Sequence, residues 1–426
     1  MARLKKFRGL LIVLAVLIGA WRYASIDRCG EWPMKQPALS SLAQSQGALT
    51  VGASFVPFTL QFPTTVGGYP PLRASVDKAL TRLGARAVVI EAGNQRVTLV
   101  VLDVLLVPPQ LRDAIAANQK GPVWTIATHT HTGPSGYDPR SASEWAALGT
   151  FDQKDQDRLA EAARKAIESA NASMQSAKLE VGEGANELAV PRSGTQVDRR
   201  ITRARFDGAN GPIAQLLILA GHPTLEPRKP EGLHGDWPAL LAQRLEVNGG
   251  PVTLVMQGAG GNASVNRDVA STPELAAQQL ENVVKNIVTI PQPEPVSAAW
   301  NEVRVSLPRP EAKRIAPGPF VEIAENALCD DAEDVVLLHG LRLGELSLLF
   351  VPLEPSANAG LVLEEQARVG RLVSLADGYS GYVETLEVAR AGGGESQRQY
   401  FSSELISSLA EGAKLVGDAM KAPAPR

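Results

Sequence analysis

The chain has 426 residues, of which 44% are hydrophobic and 20% are charged, and its formal net charge is −3. This length is enough to bury one large core or two or three smaller ones. The sequence contains no long Lys/Arg run, so it does not indicate nucleic-acid binding. Aromatic residues make up 5% of the chain, too few to indicate a stacking surface for bases or sugars.

The N-terminus has the layout of an export signal. Four basic residues within the first eight precede an uninterrupted apolar run over residues 9–21, which Arg22 closes. Such a run is short for a membrane span, which needs roughly 20 apolar residues. We expect residues 1–28 to be a signal peptide or an N-terminal membrane anchor, and these alternatives stay open. The protein is therefore expected to be periplasmic or extracellular, either free or anchored to the membrane.

The remainder of the chain is expected to form a tether followed by one folded domain. Residues 29–48 show no clear periodicity and are assigned to a polar tether, and the domain is expected to span residues 49–420. The tail at 421–426 is expected to be disordered. The only two cysteines, Cys29 and Cys329, allow one disulfide after export, but their presence does not establish pairing.

Short apolar runs alternate with helical patterns throughout the domain. Runs typical of buried strands cover residues 87–90, 97–107, 215–220, 252–256, 300–307, 335–341 and 345–351. Helical spacing covers residues 159–174 and 402–420, and a stiff Pro-rich stretch interrupts the pattern at 291–295. This alternation predicts an α/β fold, a layered mixed-sheet domain with helices packed on the sheets.

Histidines follow two of the predicted strands. His129 and His131 come directly after the strand-like run 124–128, and His222 follows the run 215–220. Residues i and i+2 of a strand project to one face, and sites in α/β folds collect beyond strand ends. Two such groups plus a carboxylate would supply a three-ligand catalytic metal site, and Glu354, after another strand, is the best candidate carboxylate. The alternative is that each of these residues has only a structural role.

A glycine-rich loop follows the strand run 252–256. Its sequence GAGGNASVN, residues 258–266, allows close approach of the backbone to a ligand. Ser264 in this loop is a candidate nucleophile if a base lies nearby. A plain strand-to-helix turn explains the loop equally well, because neither a phosphate-binding G-x-x-x-x-G-K pattern nor a G-x-S-x-G elbow is present.

Taken together and in order, these segments resemble the neutral (non-lysosomal) ceramidases. The similarity extends from about Val51 to about Met420. The segments that carry it are THTHTGPSGY (128–137), GHPT (221–224), HGDWP (234–238), GGNASVN (260–266), PLEPSANAG (352–360) and GYSGYVETLE (378–387).

The resemblance implies a role for eight residues. It implies zinc as the cofactor, with His129, His222, Glu354 and Tyr382 as its ligands. It further implies Ser264 as the nucleophile, with His131, Arg192 and Tyr400 polarising the carbonyl of the substrate. Whether Ser264 or a zinc-activated water attacks that carbonyl stays open.

Three departures from the family pattern bear on the substrate. Asn262 and Val265 stand where the family usually has Asp and Pro, and Leu353 replaces a glycine before Glu354. The chain is also expected to lack the carboxy-terminal β-sandwich of the longer members. These changes are compatible with zinc chemistry but put the preference for ceramide in doubt.

The implied function is zinc-dependent hydrolysis of the N-acyl amide bond of ceramide or a related lipid amide, at or near a membrane surface. Hydrolysis of another N-acyl amide or an ester is the first alternative. The second is a non-catalytic, membrane-tethered module that binds lipid. No oligomeric state follows from the sequence.

Overall fold

The computed structural model describes residues 13–23, 26–27, 29–69, 74–311 and 321–421. The predictions for residues 1–12, 24–25, 28 and 422–426 lie outside this range. Residues 13–23 form helix α1. Within the described ranges, no helix combines the length and apolarity needed to cross a membrane.

The first of three five-stranded sheets has the strand order β7-β6-β5-β2-β8. Its neighbours are antiparallel except for β6 and β7, which are parallel. Helix α2 connects this parallel pair, and helix α4 packs on β2 and β5. The elements are Leu49–Pro57 (β2), Gly84–Ala92 (β5), Gln95–Leu102 (β6), Val123–Ala127 (β7), Gln175–Ser176 (β8), Pro109–Ala116 (α2) and Gln153–Ala172 (α4).

The second sheet repeats this arrangement, in the order β13-β12-β11-β9-β15. Its one parallel pair, β12 and β13, is connected by helix α5, and helix α6 follows β13. The elements are Lys178–Ala185 (β9), Arg200–Gly208 (β11), Gly211–Leu219 (β12), Val252–Gln257 (β13), Ile290–Pro291 (β15), Asp236–Glu246 (α5) and Pro273–Asn286 (α6).

The third sheet, in the order β1-β16-β17-β18-β20, has the same pattern. Helix α8 connects the parallel pair β18 and β20, and the C-terminal helix α10 packs on α8 and β16. The elements are Ala38–Gly47 (β1), Val296–Ser306 (β16), Val335–Leu343 (β17), Leu346–Phe350 (β18), Arg371–Val373 (β20), Ala357–Ala367 (α8) and Leu405–Lys421 (α10).

The described chain also has three two-stranded pairs and three further α-helices, besides a π-helical turn at Glu144–Leu148 and 3₁₀ turns at Val247–Gly249 and Ser396–Arg398. The pairs are Thr64–Thr65 (β3) with Ser75–Val76 (β4), Ala189–Pro191 (β10) with Ala263–Val265 (β14), and Glu354–Pro355 (β19) with Tyr382–Val383 (β21). The helices are Ser141–Ser143 (α3), Val321–Asp331 (α7) and Leu386–Ala391 (α9).

One central core is shared by all three sheets. Val88, Leu216 and Leu348, one from each sheet, belong to the same cluster of buried side chains. The opposite face of each sheet forms a separate cluster with its own pair of helices. These are α2 and α4 on the first sheet, α5 and α6 on the second, and α8 and α10 on the third. Because both faces of the strands are buried, the strands are apolar without alternation. The predicted layered α/β fold with mixed sheets is confirmed.

The run 97–107 differs from the single long strand predicted from its sequence. Strand β6 ends at Leu102, and Asp103 turns inward to accept a hydrogen bond from Nη1 of Arg86 at 3.0 Å. Both side chains are at most 1% exposed. An ionised carboxylate is tolerated at such depth only with a paired cation, so the strand ends where this pair forms.

Part of the predicted tether is folded. Ala38–Gly47 is a strand that pairs antiparallel with β16 at the edge of the third sheet. Most of its side chains are half-buried or exposed, so the sequence of this strand shows little hydrophobic periodicity. The assignment of residues 38–47 to a tether is therefore wrong, because an edge strand can be specified by backbone pairing alone. Upstream of this strand, Cys29 forms a disulfide with Cys329 in α7.

Replacing Arg86 with methionine is expected to lower the free energy of unfolding by about 3–5 kcal/mol, because Asp103 would be left buried without its cation. Chemical denaturation of both proteins measures the difference. The control Arg304→Met removes an exposed arginine of β16 and should change stability by less than about 0.5 kcal/mol. If Arg86→Met lowered the free energy of unfolding no more than the control does, the buried Arg86–Asp103 pair would not be needed for stability, and the prediction would be wrong.

Candidate metal centre and active site

Three histidines from two sheets converge at one point. The ring nitrogens of His129, His131 and His222 that face it lie within 4.8 Å of one another. His129 and His131 follow β7 of the first sheet, and His222 follows β12 of the second. The two groups that the sequence placed after strand ends therefore lie side by side.

A turn of the backbone brings His129 and His131 together. Strand β7 ends at Ala127, and His129 has a φ of 69°. This left-handed conformation is uncommon for a residue other than glycine and costs about 1–3 kcal/mol. The backbone N–H of His129 donates to the carbonyl of Val104 at 3.0 Å, which holds the turn. The sequence analysis expected His129 and His131 to converge because they occupy positions i and i+2 of one strand. That reason is wrong, because both residues lie beyond the end of the strand.

Backbone carbonyls determine which nitrogen of each imidazole faces the centre. Nδ1 of His129 lies 2.8 Å from the carbonyl of Leu105, Nδ1 of His131 lies 3.2 Å from that of Gly68, and Nδ1 of His222 lies 3.1 Å from that of Gly260. A carbonyl only accepts, so each Nδ1 carries the proton. The lone pair of each neutral ring is then on Nε2, which is the arrangement of metal-ligating histidines.

Glu354 adds an anionic oxygen to this group. Its Oε2 lies 3.1 Å from Nε2 of His129 and 3.1 Å from Nε2 of His222. Although burial acts to raise it, the pKa of Glu354 is held well below its usual value by the attraction of these two histidines when their Nε2 atoms are protonated, so Glu354 is a carboxylate. Burial lowers the pKa of His131 well below its usual value and also lowers that of His222. A carboxylate and neutral imidazoles are the protonation states that a divalent metal requires.

The close approach of these atoms fits a bound cation. Nε2 of His131 also lies 3.4 Å from Nε2 of His129, so two lone pairs and a carboxylate oxygen face one another around His129. Acceptors at such distances repel each other unless a proton or a cation lies between them. Imidazole and carboxylate ligands in this number suit zinc, among other transition metals.

Two tyrosines complete the surroundings of Glu354 and His222. The hydroxyl of Tyr382 lies 3.0 Å from Nε2 of His222, and the hydroxyl of Tyr379 donates to Oε1 of Glu354 at 2.8 Å. The pKa of both hydroxyls lies well above the usual value. Burial is the main cause, and the negative charge of Glu354 is the second. Tyr379 was missed by the sequence analysis, although it lies three residues before Tyr382 in the same segment.

Arg192 directly follows strand β10, and Ser264 lies on its partner β14, next to this group. Val190 of β10 pairs with Ser264 of β14, and the N–H of Arg192 donates to the carbonyl of Asn262. The guanidinium carbon of Arg192 lies 5.2 Å from the ring centroid of Tyr382. The neighbour of Ser264, Ala263, accepts a hydrogen bond from the N–H of His222, so β14 is tied to the histidine group.

Tyr400 is one side chain further from the histidines. Its ring packs edge-on against Tyr379 with the centroids 6.2 Å apart, and Tyr379 in turn contacts Glu354. The remaining two histidines of the chain have other surroundings. Nε2 of His339 contacts Asp377 at 2.8 Å, and Nδ1 of His234 accepts from the N–H of Asp236.

A cleft of about 580 Å³ opens onto the histidine group. It exposes His131, His222 and Tyr382, while Tyr69 and Glu226 lie further along its walls. His131, His222 and Tyr382 of the candidate site are therefore accessible to a small molecule from one side.

The sequence was compared with protein-family models. Residues 63–199 match the model described as neutral/alkaline non-lysosomal ceramidase, N-terminal. The predicted family resemblance is confirmed. The match to the ceramidase model contains His129, His131 and Arg192, while the other site residues lie beyond it. Comparison with curated proteins finds no match.

Solved ceramidase structures share the fold. The neutral ceramidase from Pseudomonas aeruginosa superposes with a TM-score of 0.72 at 18% identity, covering 88% of this chain and 74% of that chain. A structure described as ceramidase complexed with C2 gives 0.70 at 17% identity, covering 88% and 75%. The three-sheet architecture is thus the ceramidase fold.

Glu226 in the cleft predicts a specific pH dependence of stability. Burial has the largest effect on its pKa, and together with the negative charges of Asp236 and Glu274 it raises this pKa to about 7. The folded protein therefore binds this proton more tightly than the unfolded chain, and its contribution to stability falls as pH rises from about 4.5 to about 7. We expect Glu226→Gln to raise the melting temperature relative to wild type at about pH 8 and to leave it nearly unchanged at about pH 4.

Thermal denaturation of both proteins at the two pH values tests this expectation. The control Glu231→Gln removes a carboxylate of the same loop that is 87% exposed and should show no such pH-dependent gain. If Glu226→Gln shifted the melting temperature equally at both pH values, the pKa of Glu226 would not be raised in the folded protein.

Proposed function

We propose that this protein is a zinc-dependent hydrolase that cleaves the N-acyl amide bond of ceramide or a related lipid amide. The products are a free fatty acid and a sphingoid base or another amine. The observation that carries the proposal is the convergence of three Nε2 atoms and Oε2 of Glu354 at the base of a cleft. The ceramidase fold and the family match over residues 63–199 support the substrate class.

We assign the zinc ligands to His129, His222, Glu354 and Tyr382. Oε2 of Glu354 contacts the two histidines, and the Tyr382 hydroxyl is within hydrogen-bond distance of His222. His131 belongs to the same cluster of nitrogens, but it is the half-buried member of the three, and Glu354 contacts the other two, so we assign His131 to the substrate instead. Zinc, when bound, supplies a Lewis acid that lowers the pKa of a water toward neutrality.

The remaining residues bind and polarise the amide. Ser264 is the proposed nucleophile, on a strand that also contacts the backbone of His222. Arg192, placed by its ion pair with Glu395, faces the cleft as a donor toward the carbonyl oxygen, and His131 is proposed to polarise the same oxygen once its Nε2 has taken up a proton. Tyr400 is proposed to support this side through Tyr379. Each donor aimed at a developing oxyanion is worth roughly 10²–10³ in rate.

The proposed overall reaction adds one water across the amide. The C–N bond breaks, the acyl carbon gains a hydroxyl group, and the leaving nitrogen gains a proton. If Ser264 attacks first, its hydroxyl proton passes to a base, for which Nε2 of His131 is available, and from there to the nitrogen, which leaves as the amine. The acyl ester that remains on Ser264 is then hydrolysed by a water. Localisation outside the cytoplasm and attachment to a membrane would place the enzyme near lipid amides, and both remain part of the proposal.

Metal content and hydrolysis of a fluorescent N-acyl sphingosine test the proposal on the full-length protein in detergent. We expect about one zinc per chain, because the four proposed ligands make up a single site. His222→Ala should lose both metal and activity. The control His339→Gln alters a buried histidine outside the cluster and should keep its metal.

Ser264→Ala separates the two nucleophiles. If Ser264 attacks the carbonyl, the variant keeps its zinc while kcat falls on the order of 10³-fold or more. Near-full activity would contradict that role. Absence of zinc in the wild-type protein together with absence of hydrolysis would instead favour a module that binds lipid without cleaving it.

A further inference from the structure

The cleft in front of the histidine group is rich in arginine. Four arginines line it, namely Arg192, Arg228, Arg267 and Arg398. Among the described residues that line it, none is Leu, Ile, Val, Phe or Met. An alkyl chain gains free energy from burial against apolar side chains, and for this the described walls offer only Pro227 and the rings of Tyr69 and Tyr382. The part of a substrate that occupies this cleft is therefore polar.

The arginines occupy both walls of the cleft and approach the reacting centre through two tyrosines. On one wall the guanidinium of Arg228 lies 5.2 Å from the ring centroid of Tyr69, which lies 5.2 Å from that of His131. On the other wall Arg192 and Arg398 lie 5.2 and 6.0 Å from the ring centroid of Tyr382. Tyr382 contacts His222, so each wall leads to a histidine of the cluster.

The positive charge is only partly neutralised by the protein. Glu395 contacts both Arg192 and Arg398, so these two share one carboxylate. Arg228 and Arg267 have no carboxylate within 4.0 Å in the described part of the chain, and Arg267 donates instead to the carbonyl of Thr224. The acidic side chain that lines the cleft, Glu226, has a pKa raised to about 7 by burial and by its acidic neighbours.

We propose that this cleft binds an anionic group on the amine side of the scissile amide, so that the preferred substrates are N-acyl amides bearing a carboxylate, sulfonate or phosphate. This inference rests on the proposed amide hydrolysis and specifies its substrate class. The anion belongs to the amine side because a fatty acyl chain has no charged group and needs apolar walls. Guanidinium groups suit these oxyanions through paired hydrogen bonds.

A pair of substrates that differ only in this charge tests the inference. N-lauroylglycine carries a carboxylate where N-lauroylethanolamine carries a neutral hydroxymethyl group, and both have the same acyl chain and amide. We expect the full-length enzyme to show a kcat/KM for N-lauroylglycine at least about tenfold higher, as for a charge-assisted hydrogen bond. This preference should diminish as ionic strength rises, because the arginines are partly exposed.

Substitutions outside the proposed catalytic machinery identify the residues responsible. Arg228→Gln and Arg267→Gln are each expected to lower kcat/KM for N-lauroylglycine about 5- to 10-fold, mainly through KM, and to leave N-lauroylethanolamine nearly unchanged. The matched control is Lys229→Gln, which removes the same charge from the same loop at an exposed residue that does not line the cleft. Lys229→Gln should leave the ratio of the two kcat/KM values, N-lauroylglycine over N-lauroylethanolamine, unchanged.

Calorimetric binding of N-lauroylglycine to the Ser264→Ala variant, and to the same protein with Arg228→Gln, gives a readout that does not need turnover. Weaker binding in the second protein is expected.

The outcomes separate this inference from the proposed function. Hydrolysis of N-lauroylethanolamine or ceramide at a rate equal to or higher than that of N-lauroylglycine would overturn the anionic preference and leave amide hydrolysis standing. Failure to hydrolyse any of the amides would overturn the proposed function itself. If the arginine variants reduced activity on both substrates only when anionic vesicles were present, the arginines would bind a membrane surface, and the inference would also be overturned.

Discussion

Three imidazole nitrogens and a carboxylate oxygen, all of them acceptors, face one another in a buried position. Each imidazole proton is used by a backbone carbonyl, from Leu105, Gly68 or Gly260. The acceptors therefore have no protons of their own to share, and the energy that holds them together comes from the fold. Binding a cation would remove the repulsion, so the same geometry that costs stability suits a metal ion.

The three sheets supply that energy by meeting at a common core. Each has a parallel pair connected by a helix, and each places a residue of the candidate site just beyond a strand of that pair. His129 follows β7, His222 follows β12, and Glu354 follows β18. Since the inner faces of all three sheets pack in one cluster, a shift in any sheet would separate these side chains.

The cleft differs in character from the centre that it reaches. The centre collects acceptors and suits a cation, whereas the walls present guanidinium groups and suit an anion. Glu395 partly neutralises one wall and positions Arg192 and Arg398, while Arg228 and Arg267 remain exposed on the loops. This separation of charge is the basis of the proposed preference for a substrate with a negative group at one end and an amide at the other.

The sequence by itself determined the alternation of strands and helices, because doubly buried strands such as β6 and β13 are continuous apolar runs. It also indicated His129, His131, His222 and Glu354, because polar residues directly after such runs stand out. It could not identify strand β1, which is held by edge pairing, or Tyr379, whose partner Glu354 is 25 residues away. Only the tertiary structure decided the Nδ1 protonation, the partners of each arginine and the charge of the cleft. Those properties depend on distances between residues remote in the chain, which local patterns do not encode.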